Sequence, residues 1–389
     1  MRIFPVGSLL SIACLIAPWA HAQPSEQPPR ASASISRHHT SNALDLPIAL
    51  PDWYTLLRGS INETVEHELG STRFSGEFQL RAFDTYDHED DAAGGISVSS
   101  TLRASDTLEL RGTLSLGLMS EGDELVVGNA ILGMRTRRAT LAAAIQAGLQ
   151  LSPETVLVLE GSGMREQSGR TRFQDALLAP VKLDPTRHRV RLSATLTQMR
   201  GRFSHGLFAA AGIVQSDPIG LLPQFRTADY SARLHGRYAT PAGFVASGSL
   251  GVEVLTLLGT SFRQVRAAYE VAAETPVAAA FSLRGALKAG YDFSSRDDPL
   301  AVWVQRYQAE AQYQANAVLR FGAGLFIERR ENIGLETRER LRGVYGEAVW
   351  EALERVAVTF RVDGSRRATV GGNDARRNVD IQLSLSAEL

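Results

Sequence analysis

A two-residue alternation of apolar and polar side chains constrains this sequence more than any motif in it. From Val379 the odd positions Val379, Ile381, Leu383, Leu385, Ala387 and Leu389 are apolar, while Asp380, Gln382, Ser384, Ser386 and Glu388 are polar. Alternate side chains of a strand point to opposite faces, so the segment predicts a ribbon with one apolar and one polar side. The pattern recurs at 74–82, 108–118, 141–151, 190–196, 230–238 and 244–252. A soluble sandwich alternates in the same way, and the connections separate the two cases. Short turns such as Ser152-Pro153-Glu154-Thr155 and Thr240-Pro241-Ala242-Gly243 are interleaved with longer polar connections at 86–94, 119–136, 167–186, 216–227, 257–261, 294–300, 331–336 and 364–375. Short turns on one rim and long loops on the other are how outer-membrane barrels are built. The expectation is therefore all-β: a transmembrane antiparallel up-and-down barrel of about 16 strands, each of the roughly 10 residues that a tilted strand needs to cross a bilayer. Counting residues 53–65 and another early segment would raise the number to about 18, and the last strand should close on the first.

The N-terminus reads as a secretory signal. Met1-Arg2 precedes an apolar run through Leu9, Leu10, Ile12, Leu15 and Ile16, and Ala20-His21-Ala22 supplies the small residues of a cleavage site. This divides the chain into a signal peptide at 1–22, a flexible periplasmic leader at 23–52, rich in Pro, Ser and Ala, and a barrel at 53–389 with its clearest strands from about 73. The only cysteine, Cys14, falls inside the signal, so no disulfide or thiolate site is expected in the mature protein. No later segment has the roughly 18 unbroken apolar residues of a spanning helix.

Charge excludes one partner class. The 389 residues carry a formal net charge of -1, which gives no electrostatic case for nucleic acid. Lysine occurs only at Lys182 and Lys288, so nearly all positive charge is arginine. Aromatics stand where an apolar band should end: Tyr238 and Phe244 flank one short turn, Tyr313 precedes another, and Tyr291, Phe293 and Trp303 bracket a long loop.

Taken together, the alternation, the Ser-Pro-Glu-Thr and Thr-Pro-Ala-Gly turns and the terminal strand make the chain resemble porin-type outer-membrane β-barrels of Gram-negative bacteria. Some of those are associated with exopolysaccharide export loci. The resemblance spans about 73–389 and carries no diagnostic functional motif; such barrels often end in Phe, where this chain has Leu389. It implies residence in the Gram-negative outer membrane and passive passage of hydrophilic solute or polysaccharide. The implied partners are outer-membrane lipid and lipopolysaccharide, the barrel-assembly machinery and polysaccharide-export components. The alternative from another class is a plugged structural or adhesive barrel acting through its extracellular loops.

Enzyme chemistry is not expected. His67, His88, His188, His205 and His235 lack ligand spacing, there is no Gly-x-Ser-x-Gly elbow, and Ser162 sits on a predicted strand between small residues. No catalytic residue, cofactor or metal is assigned. The polar face of the strands is the candidate site, because arginine facing lipid at mid-membrane costs about 2–4 kcal/mol and must turn inward. It assigns Glu109, Arg111, Arg189, Arg191, Arg233, His235, Arg237, Glu253, Arg266, Glu270, Arg284, Lys288, Arg306, Glu310 and Arg320 to the lining of a pore.

Overall fold

The computed structural model describes residues 30–388, apart from 128–129, 176, 221–222, 279, 294–299 and 371–374. The expected signal peptide lies outside the described residues. The strands are β1 (Arg30–Thr40), β2 (Asp52–His67), β3 (Gly70–Phe83), β4 (Asp91–Arg103), β5 (Leu108–Val127) and β6 (Ala130–Ser152). There follow β7 (Thr155–Ser168), β8 (Arg172–Phe173), β9 (Arg187–Arg200), β10 (Phe203–Ser216), β11 (Phe225–Ala239), β12 (Val245–Leu257) and β13 (Arg263–Ala278). The chain finishes with β14 (Phe281–Asp292), β15 (Val302–Asn316), β16 (Leu319–Asn332), β17 (Thr337–Leu353), β18 (Val356–Thr369) and β19 (Arg376–Glu388).

Each strand pairs antiparallel with the next, with one exception. β7 pairs directly with β9, and the two-residue β8 rests against the extension of β6. The wall is thus an 18-stranded barrel, closed where β1 pairs with β19 from Ser32↔Glu388 to Thr40↔Asp380. Closure pairs the first strand with the last, so the seam presents no open edge to the bilayer.

The first strand corrects one expectation. Residues 30–40 are part of the wall, although their composition reads as a flexible leader. The alternation was present: Ala31, Ala33 and Ile35 share one face, and Ser32, Ser34, Ser36, His38 and Thr40 share the other. Its apolar members are mostly alanine, so the hydrophobic contrast is weak, and pairing with β19 and β2 along the whole strand supplies the order. Residues 119–136 read as a long loop, over which 125–134 could fold or add a strand pair, and the strand pair is what forms. Here β5 and β6 continue their ladder to Val127↔Ala130. Above the apolar band no lipid demands alternation, so the hydrogen-bonded ladder persists where the sequence pattern stops.

The connections sort onto two rims as expected. Turns at 68–69, 153–154, 201–202, 317–318 and 354–355 lie on one rim, with Arg30 and Glu388; the connections at 41–51, 84–90 and 169–186 lie on the other. Gly201, at φ 57°, occupies the left-handed region that its two-residue turn needs. Between the rims, the outward positions form an apolar belt that includes Leu57, Ile96, Leu118, Leu192, Leu250, Leu325 and Leu383, all exposed. At the short-turn end the belt finishes in outward aromatics: Phe203 opposite Tyr238, Tyr313 opposite Phe321, and Trp350. Exposed apolar surface on this scale is stable only against lipid. Among the described residues no helix is long and apolar enough to cross a membrane; the strands do so.

Candidate functional site

With the outward face fixed by the apolar belt, the pleat places the opposite parity in the lumen. Every residue assigned from sequence to a pore lining occupies an inward position. They do not form one site. Some line water: Arg111 and Glu109 are 53% and 51% exposed although both point inward, and their ion pair spans 3.3 Å. Arg237, Glu270, Arg284, Lys288, Arg306 and Arg320 are exposed as well. Two cross-strand rows bring opposite charges side by side. One runs Glu270↔Lys288↔Arg306↔Glu328, the other Glu274↔Arg284↔Glu310. Direct neighbours across strands interact, so each cation has a carboxylate beside it.

Other inward groups are taken out of water. Arg233 is bonded to Glu253, whose second oxygen accepts the Tyr291 backbone N–H at 2.8 Å. Arg191 reaches Asp229 at 3.2 Å, Arg189 stacks over the Phe293 ring at 5.0 Å, and Arg266 forms a two-pronged pair with Glu331. His235 contacts the Thr197 hydroxyl through Nε2 at 3.0 Å.

These contacts cross several strands because the wall divides near the long-loop rim. Pairing of β13 with β14 stops at Tyr269↔Ala289, whereas β14 stays paired with β15 to Asp292↔Val302, and β15 with β16 to Val302↔Asn332. The freed end of this three-strand segment turns over the lumen face of β10–β13. Ala289, Phe293, Ala301, Trp303 and Ile333 pack there against inward Val214, Leu255 and Ala268 in one buried cluster. Adjacent Val302 and Trp303 are 1% and 6% exposed, so this strand end is covered on both faces. Tyr291, Phe293 and Trp303 are therefore not interface aromatics, as the sequence suggested, but the core of an inward-folded segment. The run Leu300-Ala301-Val302-Trp303-Val304 held the signal, since an unbroken apolar stretch marks a strand buried on both sides.

A second lumen feature sits at the closing seam. His38 Nδ1 lies 3.0 Å from Asp380 Oδ1, and His38 Nε2 lies 2.9 Å from Ser36 Oγ. A carboxylate only accepts, so Nδ1 carries a ring proton, and in the neutral ring Nε2 accepts from the serine hydroxyl, which also lies 3.5 Å from the Leu56 carbonyl. The Tyr54 hydroxyl donates to Asp380 Oδ2 at 3.1 Å, and its ring stacks on His38 at 4.3 Å. Sequence reasoning missed this chain because Asp380 lies at the opposite end of the sequence and meets the histidine only through barrel closure. A third feature is an alcove of about 290 Å³ in the wall, lined by Thr113, Ser115, Ser162, Met164, Arg189 and Arg191.

A closed 18-stranded barrel with an apolar exterior, short turns on one rim and charges inside defines an outer-membrane β-barrel protein. No family model and no curated protein matches the sequence. Solved structures match the fold. The chain aligns with the copper transporter OprC at a TM-score of 0.59 and 10% identity, over 94% of this chain and 81% of that one. It aligns with the FrpB iron transporter from Neisseria meningitidis at 0.51 and 8% identity, over 87% and 62%. With the ferric citrate transporter FecA the values are 0.50 and 10%, over 90% and 61%. Such identities support the fold and nothing finer.

Proposed function

We propose that the protein is a passive conduit for hydrophilic solute or polysaccharide across the outer membrane of a Gram-negative bacterium. The observation that carries this reading is the exposure of inward-facing charges: Arg111, Glu109, Arg284, Lys288 and Arg306 meet water on the inside of a closed wall. About 18 strands enclose more space than side chains fill. The alcove presents the hydroxyls of Thr113, Ser115 and Ser162 beside Arg189 and an Arg191 already paired with Asp229, which suits a hydroxylated solute such as a saccharide. Lipopolysaccharide, the assembly machinery and polysaccharide-export components remain the partners this reading implies.

Charge reversal tests it. In the row Glu274↔Arg284↔Glu310, an Arg284→Glu change places three carboxylates side by side in a wet lumen. Combined with Arg306→Glu, it is expected to move the reversal potential in a salt gradient toward cation selectivity while expression and assembly persist. A selectivity indifferent to both reversals would count against permeation along this wall. The second reading, a plugged structural or adhesive barrel, draws on the inward-folded end of β14–β16, which occupies lumen next to the long loops.

A further inference from the structure

We propose that the closing seam is an esterase site, in which Ser36 is the nucleophile, His38 its general base, and Asp380 and Tyr54 the residues that position the base. The substrates would be small acyl esters, acetyl-sized, carried on the hydrophilic solutes of the lumen; in this the inference rests on the conduit reading. Three observations converge. The hydroxyl, imidazole and carboxylate are joined in the order that nucleophilic catalysis requires, at 2.9 and 3.0 Å. The ring is locked, 5% exposed, between its two bonds and the parallel Tyr54 ring 11° away in plane. The acid is in turn fixed by the Tyr54 hydroxyl, so the proton of the imidazole is held on Nδ1 and Nε2 faces the serine.

The surroundings of Ser36 set the substrate class. Ser36 is opposite Leu56 on β2 and Ser384 on β19. The inward positions toward the short-turn rim are Ser34 and Ser32 on its own strand and Ser386 across from Ser34, so a lane of small hydroxyl groups leads up to it. Ser34 is half-buried and Ser32 exposed, while Ser36 is 6% exposed, so exposure falls toward the nucleophile and the acyl group it would take is small. Diagonal neighbours in a sheet lie within reach of long side chains, which makes Gln382, opposite His38, the residue whose amide N–H would stabilise an oxyanion; Arg58, opposite Ser34, is bonded through Nε to Gln79 on β3.

The reaction closes without a further reagent. Ser36 Oγ adds to the ester carbonyl carbon as its proton passes to His38 Nε2. The tetrahedral adduct collapses, the bond to the alcohol oxygen breaks, and that oxygen takes the proton from His38. Water then adds to the acyl-serine carbonyl and gives a proton to His38. The bond to Ser36 Oγ breaks, the proton returns to Oγ, and the carboxylic acid leaves.

The test uses the full-length barrel, folded in detergent and verified by its heat-shifted migration. A fluorophosphonate probe should label the wild type, with the adduct mapped by mass spectrometry to the peptide containing Ser36. p-Nitrophenyl acetate should be hydrolysed faster than the laurate ester, and His38→Gln should slow it about 100-fold or more, the scale of general-base catalysis. Asp380→Asn should lower kcat with KM unchanged, a split that a purely structural contact would not produce. Ser36→Ala should abolish labelling; if it does not fold, the adduct position in the wild type still decides. A folded wild type that takes no label at Ser36, or hydrolyses acetate no faster than Ser36→Ala, overturns the proposal and leaves the chain as a clasp of the seam. A preference for the laurate ester overturns the substrate class. Conductance is read separately, so an unlabelled barrel that conducts refutes the esterase and not the conduit.

Discussion

Replacing Leu385 by arginine is expected to block insertion of the barrel, while the same replacement at Ser384 leaves it nearly intact. The two residues are neighbours on β19, and the pleat sends them to opposite environments. Leu385 is 48% exposed on the outer face, between Ile35 and Val358, where lipid replaces water; Ser384 points inward opposite Ser36. An arginine facing lipid costs about 2–4 kcal/mol near mid-membrane, falling toward the interfaces, whereas an arginine in a wet lumen keeps its hydration. That is a large share of the roughly 5–15 kcal/mol by which proteins are stable. Heat-modifiable migration of the membrane fraction reads the outcome: the Leu385 variant should lose the compact, unheated band and the Ser384 variant should keep it. Equal tolerance at both positions would mean that the faces are assigned the wrong way round.

The second large effect is expected at Glu253. Its carboxylate holds both the Arg233 guanidinium and the Tyr291 backbone N–H, and the pair is 17% and 10% exposed. Glu253→Ala leaves a mostly buried cation and a buried N–H without acceptors, a loss of about 3–5 kcal/mol for a broken buried pair. Truncating Trp303, 6% exposed in the same cluster, costs a similar amount, about 3–5 kcal/mol, through lost packing. The barrel ladders do not pass through either side chain, so the expected result is release of the inward-folded end rather than unfolding. Single-channel conductance should rise in both variants. If it is unchanged in both, that segment does not set the narrowest part of the lumen.

The barrel was legible because its physics is local. Period-2 alternation follows from a wall with lipid on one side and water on the other, and it marks the strands wherever the outward residues are large. It faded at β1, where alanines stand in for leucines, and in the upper parts of β5 and β6, which extend past the apolar belt. The inward parity of Arg233, Glu253 and Arg266 could also be read from alternation. What it could not give is whom they meet. Arg266 finds Glu331 and Glu253 finds Tyr291 only because the β13–β14 ladder ends early, a tertiary event without a two-residue period. The Ser36–His38–Asp380 chain was hidden for a related reason: two of its members are two residues apart on one strand, and the third joins them only when the barrel closes.

The conduit itself is tested most directly by current through the purified, refolded wild type in a planar bilayer. Inward charges that meet water at Arg111, Glu109, Arg284 and Lys288 predict stepwise conductance increments as single barrels insert, carried through a continuous aqueous path. Protein that inserts fully, as judged by its heat-shifted migration, and carries no current would contradict that path and make the barrel a plugged, structural one.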